Sequence, residues 1–265
     1  MAIRRAMVKT CVWLGSVTAL SCAGLLVSEA GARTLAEIQG RGAIELCANP
    51  DALPYASEKG ALPGFQIELA RAVAQGLGVE LRVRWIYPHY RANFVNCDIV
   101  MDAFSDPEVH DGKLKLSVPY QKSGVALALA PGLPVVQSFD EVRPPQKIGV
   151  MIESLAQVIL GKKGLRTSPY SFEADMIDDL ISGELQAAAI SPAKVAYYNH
   201  THPDHQVGLA YAYDSEPELG WTVSVGMRKA DNALVEAINP VLVKLLKDGT
   251  IDQIYAKYGV QHRTP

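Results

Sequence analysis

The chain has 265 residues, 49% hydrophobic and 20% charged, with a formal net charge of −3. That length fits one large or two small domains. A mildly acidic chain without basic runs excludes nucleic acid and anionic lipid surfaces as natural partners.

The first predicted element is a leader. Arg4, Arg5 and Lys9 precede an apolar stretch over residues 11–27, which runs into Ser28-Glu29-Ala30-Gly31-Ala32. A short cationic start, a brief apolar run and an Ala-x-Ala end make the pattern of a secretory signal peptide. The stretch is short and only mildly apolar for a spanning helix, which needs about 20 residues. Cleavage is expected after Ala32, giving a periplasmic mature chain with no membrane insertion. A lipid-modified Cys22 is the competing reading, weakened by Ala19 where such sites usually carry leucine. Cys11 and Cys22 leave with the leader. Cys47 and Cys97 then remain as an even pair in an exported chain, where disulfides persist. Bridging them would stabilise by roughly 4 kcal/mol through chain entropy. Two buried free thiols are the alternative, and without a C-x-x-C pattern redox or metal chemistry has little support.

Residues 44–48 read as a first strand, broken by Pro50 and Pro54, and Pro63-Gly64 ends the loop that follows. Phe65, Leu69, Val73 and Leu77 then recur every four residues, the stripe of an amphipathic helix, with Gly76 and Gly78 at its end. Residues 79–85 alternate apolar and charged side chains as a second strand, and Cys97 leads into a third at 98–101. Strand, helix, strand, loop, strand predicts a parallel sheet in an α/β domain. In a sheet wound 2-1-3 the first and third strands are neighbours. Cys47 and Cys97 would then lie side by side, and bridging requires Cα atoms under about 7 Å apart.

Beyond Val118-Pro119-Tyr120 an apolar run over 124–130 ends at Pro131-Gly132. A helical turn is predicted at 138–142, a strand at 147–151 and a helix from 154 to about 160. Met176, Ile177, Leu180 and Ile181 make one side of a helix at 175–182. Strand 185–190, helix 192–198, a loop rich in His and Pro, and strand 222–227 follow. Residues 233–258 read as helical, with Pro240 near a kink and Asp248-Gly249 a break.

This order resembles the periplasmic solute-binding proteins of family 3, the bilobed proteins that feed amino acids to ABC importers. The likeness is carried by Gly64-Phe65-x-x-x-Leu69-Ala70, Cys97-Asp98-Ile99-Val100, Val118-Pro119-Tyr120 with Ser123-Gly124, and Val225-Gly226-Met227-Arg228-Lys229. The ending Leu246-Lys247-Asp248-Gly249-Thr250-Ile251-Asp252-x-Ile254-Tyr255-x-Lys257-Tyr258 is its most specific piece. The resemblance implies an α/β, bilobed type II periplasmic-binding-protein fold: two mixed sheets flanked by helices, joined by two hinge crossings near 127–130 and 222–225. Lobe one would be 33–126 plus 226–265, and lobe two 127–225.

That family grips an amino acid with an arginine on the carboxylate, donors at a helix start, and an acid on the ammonium. Here the segment Ser105-Asp106-Pro107-Glu108-Val109-His110-Asp111-Gly112 holds no arginine. Met151-Ile152-Glu153-Ser154 replaces the usual Gly-Thr-Thr turn, and Ser191 stands where the ammonium-binding acid is expected. An amino acid without its charge partners in a closed cleft loses several kcal/mol to desolvation. Ordinary amino-acid transport is therefore disfavoured.

A narrower likeness fits these departures. The loop Cys47-Ala48-Asn49-Pro50-Asp51-Ala52-Leu53-Pro54-Tyr55-Ala56-Ser57, the Cys97-Asp98-Ile99-Val100 strand, and Trp85 with Arg91 resemble the branch associated with quinoprotein alcohol dehydrogenases. That branch includes accessory proteins encoded with methanol dehydrogenases, thought to assist maturation or cofactor assembly. The resemblance implies a non-catalytic protein whose partner is a quinoprotein alcohol dehydrogenase. The alternative is an ABC-transporter receptor, with a permease as partner, for a small solute other than a standard α-amino acid. The expected cleft residues are Asn49, Leu53, Tyr55, Trp85, Tyr90, Arg91, Asp102, Phe104, Ser154 and Ser191. Plain core packing is the competing role for Trp85 and the tyrosines.

Two clusters invite a metal reading. His200, His202 and His205 share a loop, yet a tight site needs further ligands and a second shell. Asp102, Asp106, Glu108 and Asp111 lack the glycine and terminal glutamate of a calcium-binding EF-hand. A solvated polar loop is expected in each case. The chain also holds no Gly-x-Ser-x-Gly elbow, phosphate loop or zinc signature, so neither catalysis nor a cofactor is expected.

Overall fold

Strand β1 (Ala43–Ala48) is buried at all six positions, the mark of a strand covered on both faces. In the computed structural model, which describes residues 34–87 and 97–265, it lies inside the first of two large sheets. The expected leader, its cleavage after Ala32, Cys22, and the cleft candidates Tyr90 and Arg91 lie outside the described residues. Helix α1 (Leu35–Arg41) leads into β1, with Thr34 and Glu37 forming a reciprocal capping box.

After β1 comes a small hairpin, β2 (Asp51–Ala52) with β3 (Ala56–Ser57), and then α2 (Phe65–Gly76) returns the chain to β4 (Glu80–Trp85). Strands β4 and β5 (Ile99–Phe104) flank β1, both parallel to it, which is the expected 2-1-3 order. Cys47 and Cys97 are disulfide-bonded with their Cα atoms 5.6 Å apart. The sheet is completed by β6 (Leu114–Leu116), β7 (Gln121–Gly124) and the long antiparallel β13 (Gly220–Arg228).

The second sheet takes β8 (Ala126–Leu129), β9 (Ile148–Met151), β10 (Thr167–Tyr170), β11 (Ala187–Ile190) and β12 (Gly208–Ala210), in the order β10-β9-β11-β8-β12. Its side chains alternate between two cores. Leu127, Leu129, Ile148 and Val150 meet Ala156 and Leu160 of α3 (Leu155–Lys162). Ala128, Ala188 and Ile190 meet Met176 and Leu180 of α4 (Glu173–Ser182) and Val195 of α5 (Pro192–Thr201). The first sheet has its own core, closed by α2, α6 (Asn232–Lys247) and α7 (Thr250–Ala256). Pro240 sits inside α6 without ending it, and Gly249, at φ 74°, makes the break before α7.

The two lobes are joined where β7 passes into β8 and where the chain returns into β13. The passages run side by side: Gly124 pairs with Gly220, and Val125 N donates to Leu219 O at 2.9 Å. Pairing in the first sheet thus starts at Gly220, ahead of the crossing expected at 222–225. Away from this ribbon, α5 leans on the first lobe. Its Ala193 joins the first core, and Tyr197 lies 6.4 Å from the Tyr258 ring. Among the described residues no helix is long and apolar enough to cross a membrane.

Candidate functional site

Pro50 and Pro54 turn the chain out of β1, and the start of α2 pins the hairpin that results. Phe65 N donates to Pro54 O at 2.9 Å and Gln66 N to Tyr55 O at 3.0 Å, so two helix-end donors find acceptors in the loop. The Tyr55 ring rests 4.9 Å from the ring of Phe65. Its hydroxyl leaves the first lobe and hydrogen-bonds Ser191 Oγ on the second. Burial, reinforced by the nearby Glu173 charge, pushes the Tyr55 phenol far up, so it stays protonated and bridges as a neutral group.

Ser191 precedes α5, and its backbone N–H donates to Glu173 Oε1 at 2.7 Å. Glu173 opens α4. Burial raises its carboxyl, opposed by the Ser191 N–H and by the field of Lys194. Burial in turn lowers the Lys194 ammonium, against the charges of Glu173 and Asp51. Asp102 projects from β5. Enclosure by the cleft walls raises its carboxyl although the side chain still meets solvent.

Tyr55 stands between two cavities. The first, about 320 Å³, is lined by Asn49, Tyr55, Gln66 and Asp102 among others. The second, about 280 Å³, is lined by Tyr55, Phe104, Ser154, Glu173, Ser191 and Trp221 among others. Of the residues expected at the cleft, Asn49, Tyr55 and Asp102 meet at the first, and Tyr55, Phe104, Ser154 and Ser191 at the second. Leu53 and Trp85 instead pack against the core of the first lobe. Ser154 also caps α3, its hydroxyl accepting from Gln157 N at 3.1 Å. Gln66, Glu173 and Trp221 escaped the sequence reading. Glu173 lies just ahead of the helix expected at 175–182, and Trp221 just ahead of the strand expected at 222–227.

The chemistry follows from the charges. Among the described residues no arginine lines either cavity. A ligand carboxylate would face Asp102 or Glu173, charges of its own sign. Among the described residues no three His, Cys, Asp or Glu side chains gather as ion ligands. His202 stacks 4.4 Å from Tyr198, and Asp106 accepts from Glu108 N at 2.9 Å to cap a short turn.

Comparison with known proteins places the chain in a family. The profile of the bacterial extracellular solute-binding proteins, family 3, matches residues 44–261. A probable histidine-binding protein of Neisseria gonorrhoeae is 25% identical over 93% of this chain and 94% of its own. The histidine-binding periplasmic protein of Escherichia coli K12 is 24% identical over 81% of this chain and 86% of its own. Among solved structures, an ancestral cationic amino acid solute-binding protein, AncCDT-1, superposes with a TM-score of 0.72 at 24% identity, covering 85% of this chain and 99% of that one. The periplasmic binding protein XoxJ from Methylobacterium extorquens AM1 superposes with a TM-score of 0.66 at 21% identity, covering 84% of this chain and all of that one. The family match spans most of the sequence and both sheets, and the chain belongs to the bacterial extracellular solute-binding proteins of family 3.

Proposed function

We propose that this protein is a non-catalytic periplasmic binding protein accessory to a quinoprotein alcohol dehydrogenase of the methanol type. It engages the enzyme, or a segment of it, through the interlobe cleft, with its lobes turning about the paired passages at 124–126 and 219–220. One observation carries the reading. Ser191, at the position expected to hold the ammonium-binding acid, is hydrogen-bonded by Tyr55 from the opposite wall. A wall-to-wall contact thus occupies the place of a zwitterion clamp. The resemblance of the 47–57 loop to dehydrogenase-associated proteins supports the same choice. So do Phe104, Leu155 and Phe172, large apolar side chains that are exposed and suit a protein partner.

A second reading, a receptor that delivers a small solute to an ABC permease, is favoured by the histidine-binding relatives. Affinity capture from periplasm of the organism that carries the gene separates the two. With the tagged mature protein as bait, the first reading expects a quinoprotein dehydrogenase by mass spectrometry. Recovery of a permease without any dehydrogenase rejects it.

A further inference from the structure

The second cavity has a composition that the accessory role does not explain. Three of its walls are aromatic: Tyr55 from the hairpin, Phe104 from the end of β5 and Trp221 from the start of β13. The Phe104 and Trp221 rings meet edge to face, with centroids 5.1 Å apart and planes at 79°, so they form a corner. Glu173 is the one acidic side chain in the lining, and no lysine, arginine or histidine among the described residues joins it there. Its Oε1 is held by Ser191 N at 2.7 Å, while among the described residues its other oxygen has no hydrogen-bond partner. Lys194 adds a positive field at Glu173, and no ion pair joins the two among the described residues.

Aromatic faces present negative potential to a cation, and such cages recognise alkylated ammonium groups whose methyls shed water easily. A carboxylate at the same cavity adds attraction in a partly desolvated setting. A carboxylate-bearing ligand gains no cation here, and a neutral apolar ligand leaves the second Glu173 oxygen without a partner in a confined space. We infer that this cavity takes a methylated ammonium group on a short stem, an organic cation without a carboxylate. The assignment goes beyond the accessory reading and stands whichever partner the protein serves. The cation has two possible sources, a free solute of choline's size or a trimethylated lysine side chain of a bound protein segment.

Calorimetric titration of the mature protein tests this with three probes: choline, its uncharged carbon analogue 3,3-dimethylbutan-1-ol, and N-acetyl-trimethyllysine amide. At least one of the two cations is expected to bind about tenfold or more tighter than the alcohol. Glu173→Gln keeps an acceptor for Ser191 N and removes the charge. It is expected to weaken the cation about tenfold with thermal unfolding little changed, and Trp221→Leu to weaken it similarly. Stronger binding of choline assigns a free solute, and stronger binding of the trimethyllysine amide assigns a partner's side chain. Absence of heat with both cations overturns the inference, as does equal binding of the alcohol or undiminished binding by Glu173→Gln. None of these outcomes bears on capture of a dehydrogenase, so the two proposals fail separately.

Discussion

Replacing Cys47 and Cys97 together with alanine is expected to lower the free energy of unfolding by about 4 kcal/mol. The bridge spans a sequence separation of 50, so cutting it releases a long loop in the unfolded chain. Loop-closure entropy grows only with the logarithm of length, so the effect is large without being open-ended. In the folded chain Cys97 is 1% exposed and packs with Ile86, so the substituted site also loses some dispersion contact. The double variant avoids leaving one reactive thiol behind. Urea titration of the variant, and of the native protein with and without reductant, reads the result. The midpoint should fall and the dependence on urea should steepen, because an unbridged denatured chain exposes more surface. A loss under about 1 kcal/mol would mean that the unfolded chain is already compact around this loop.

Gly64→Ala is expected to destabilise by about 4 kcal/mol and to disturb the site as well. Gly64 has φ +99° and ψ 147°, a region that side-chain-bearing residues rarely enter. A Cβ there would lie 2.3 Å from Tyr55 O and 2.5 Å from Ala56 N, both backbone atoms of the hairpin. Backbone strain of about 1–3 kcal/mol combines with overpacking of about 1–3 kcal/mol. Relief requires the hairpin to move, and the hairpin carries Tyr55. The bond between Tyr55 and Ser191 should therefore weaken, and small-angle scattering should show a wider distribution of lobe separations. Gly78→Ala is the control. Gly78 has φ +71°, and a methyl added there would meet nothing within 4 Å, so only local strain of about 1–2 kcal/mol is expected. Equal effects at both positions would show that the contact with the Tyr55 loop is not tight in solution.

What the sequence revealed depends on range. The 2-1-3 order and the Cys47–Cys97 neighbourhood were legible because hydrophobic runs, glycines and prolines mark β1, α2, β4 and β5 clearly. The pieces that escaped are short: α1, the β2–β3 hairpin, β6, β10 and β12. Strands of two or three residues and a seven-residue helix carry too little periodicity to be read. Strand β10 also contains Pro169, which ordinarily argues against a strand and is tolerated here because β10 lies at a sheet edge. The local pattern puts the start of the returning strand at 222, within the crossing near 222–225 that the family resemblance implies. Pairing instead starts at Gly220, because β7 supplies a partner strand that no local pattern announces.

The site divides in the same way. Tyr55 stood out in the proline-bent loop after β1, and Asp102 beside the expected end of the third strand, although it lies within β5; both line the cleft. Leu53 and Trp85 share that neighbourhood, but their direction is set by packing on the first core, which sequence adjacency does not record. Glu173 and Trp221 reach the cleft only because two lobes, distant in the chain, face each other. The contact between Tyr55 and Ser191, 136 residues apart, is the clearest case. The residue types were visible, while their meeting is a property of the fold.

Whether the amino-acid clamp is truly lost can be read from calorimetric titration of the mature protein with L-histidine. No saturable heat is expected at micromolar protein, with any affinity weaker than about 1 mM. A dissociation constant below about 10 µM, abolished by removing a carboxylate at the cleft, would contradict that loss.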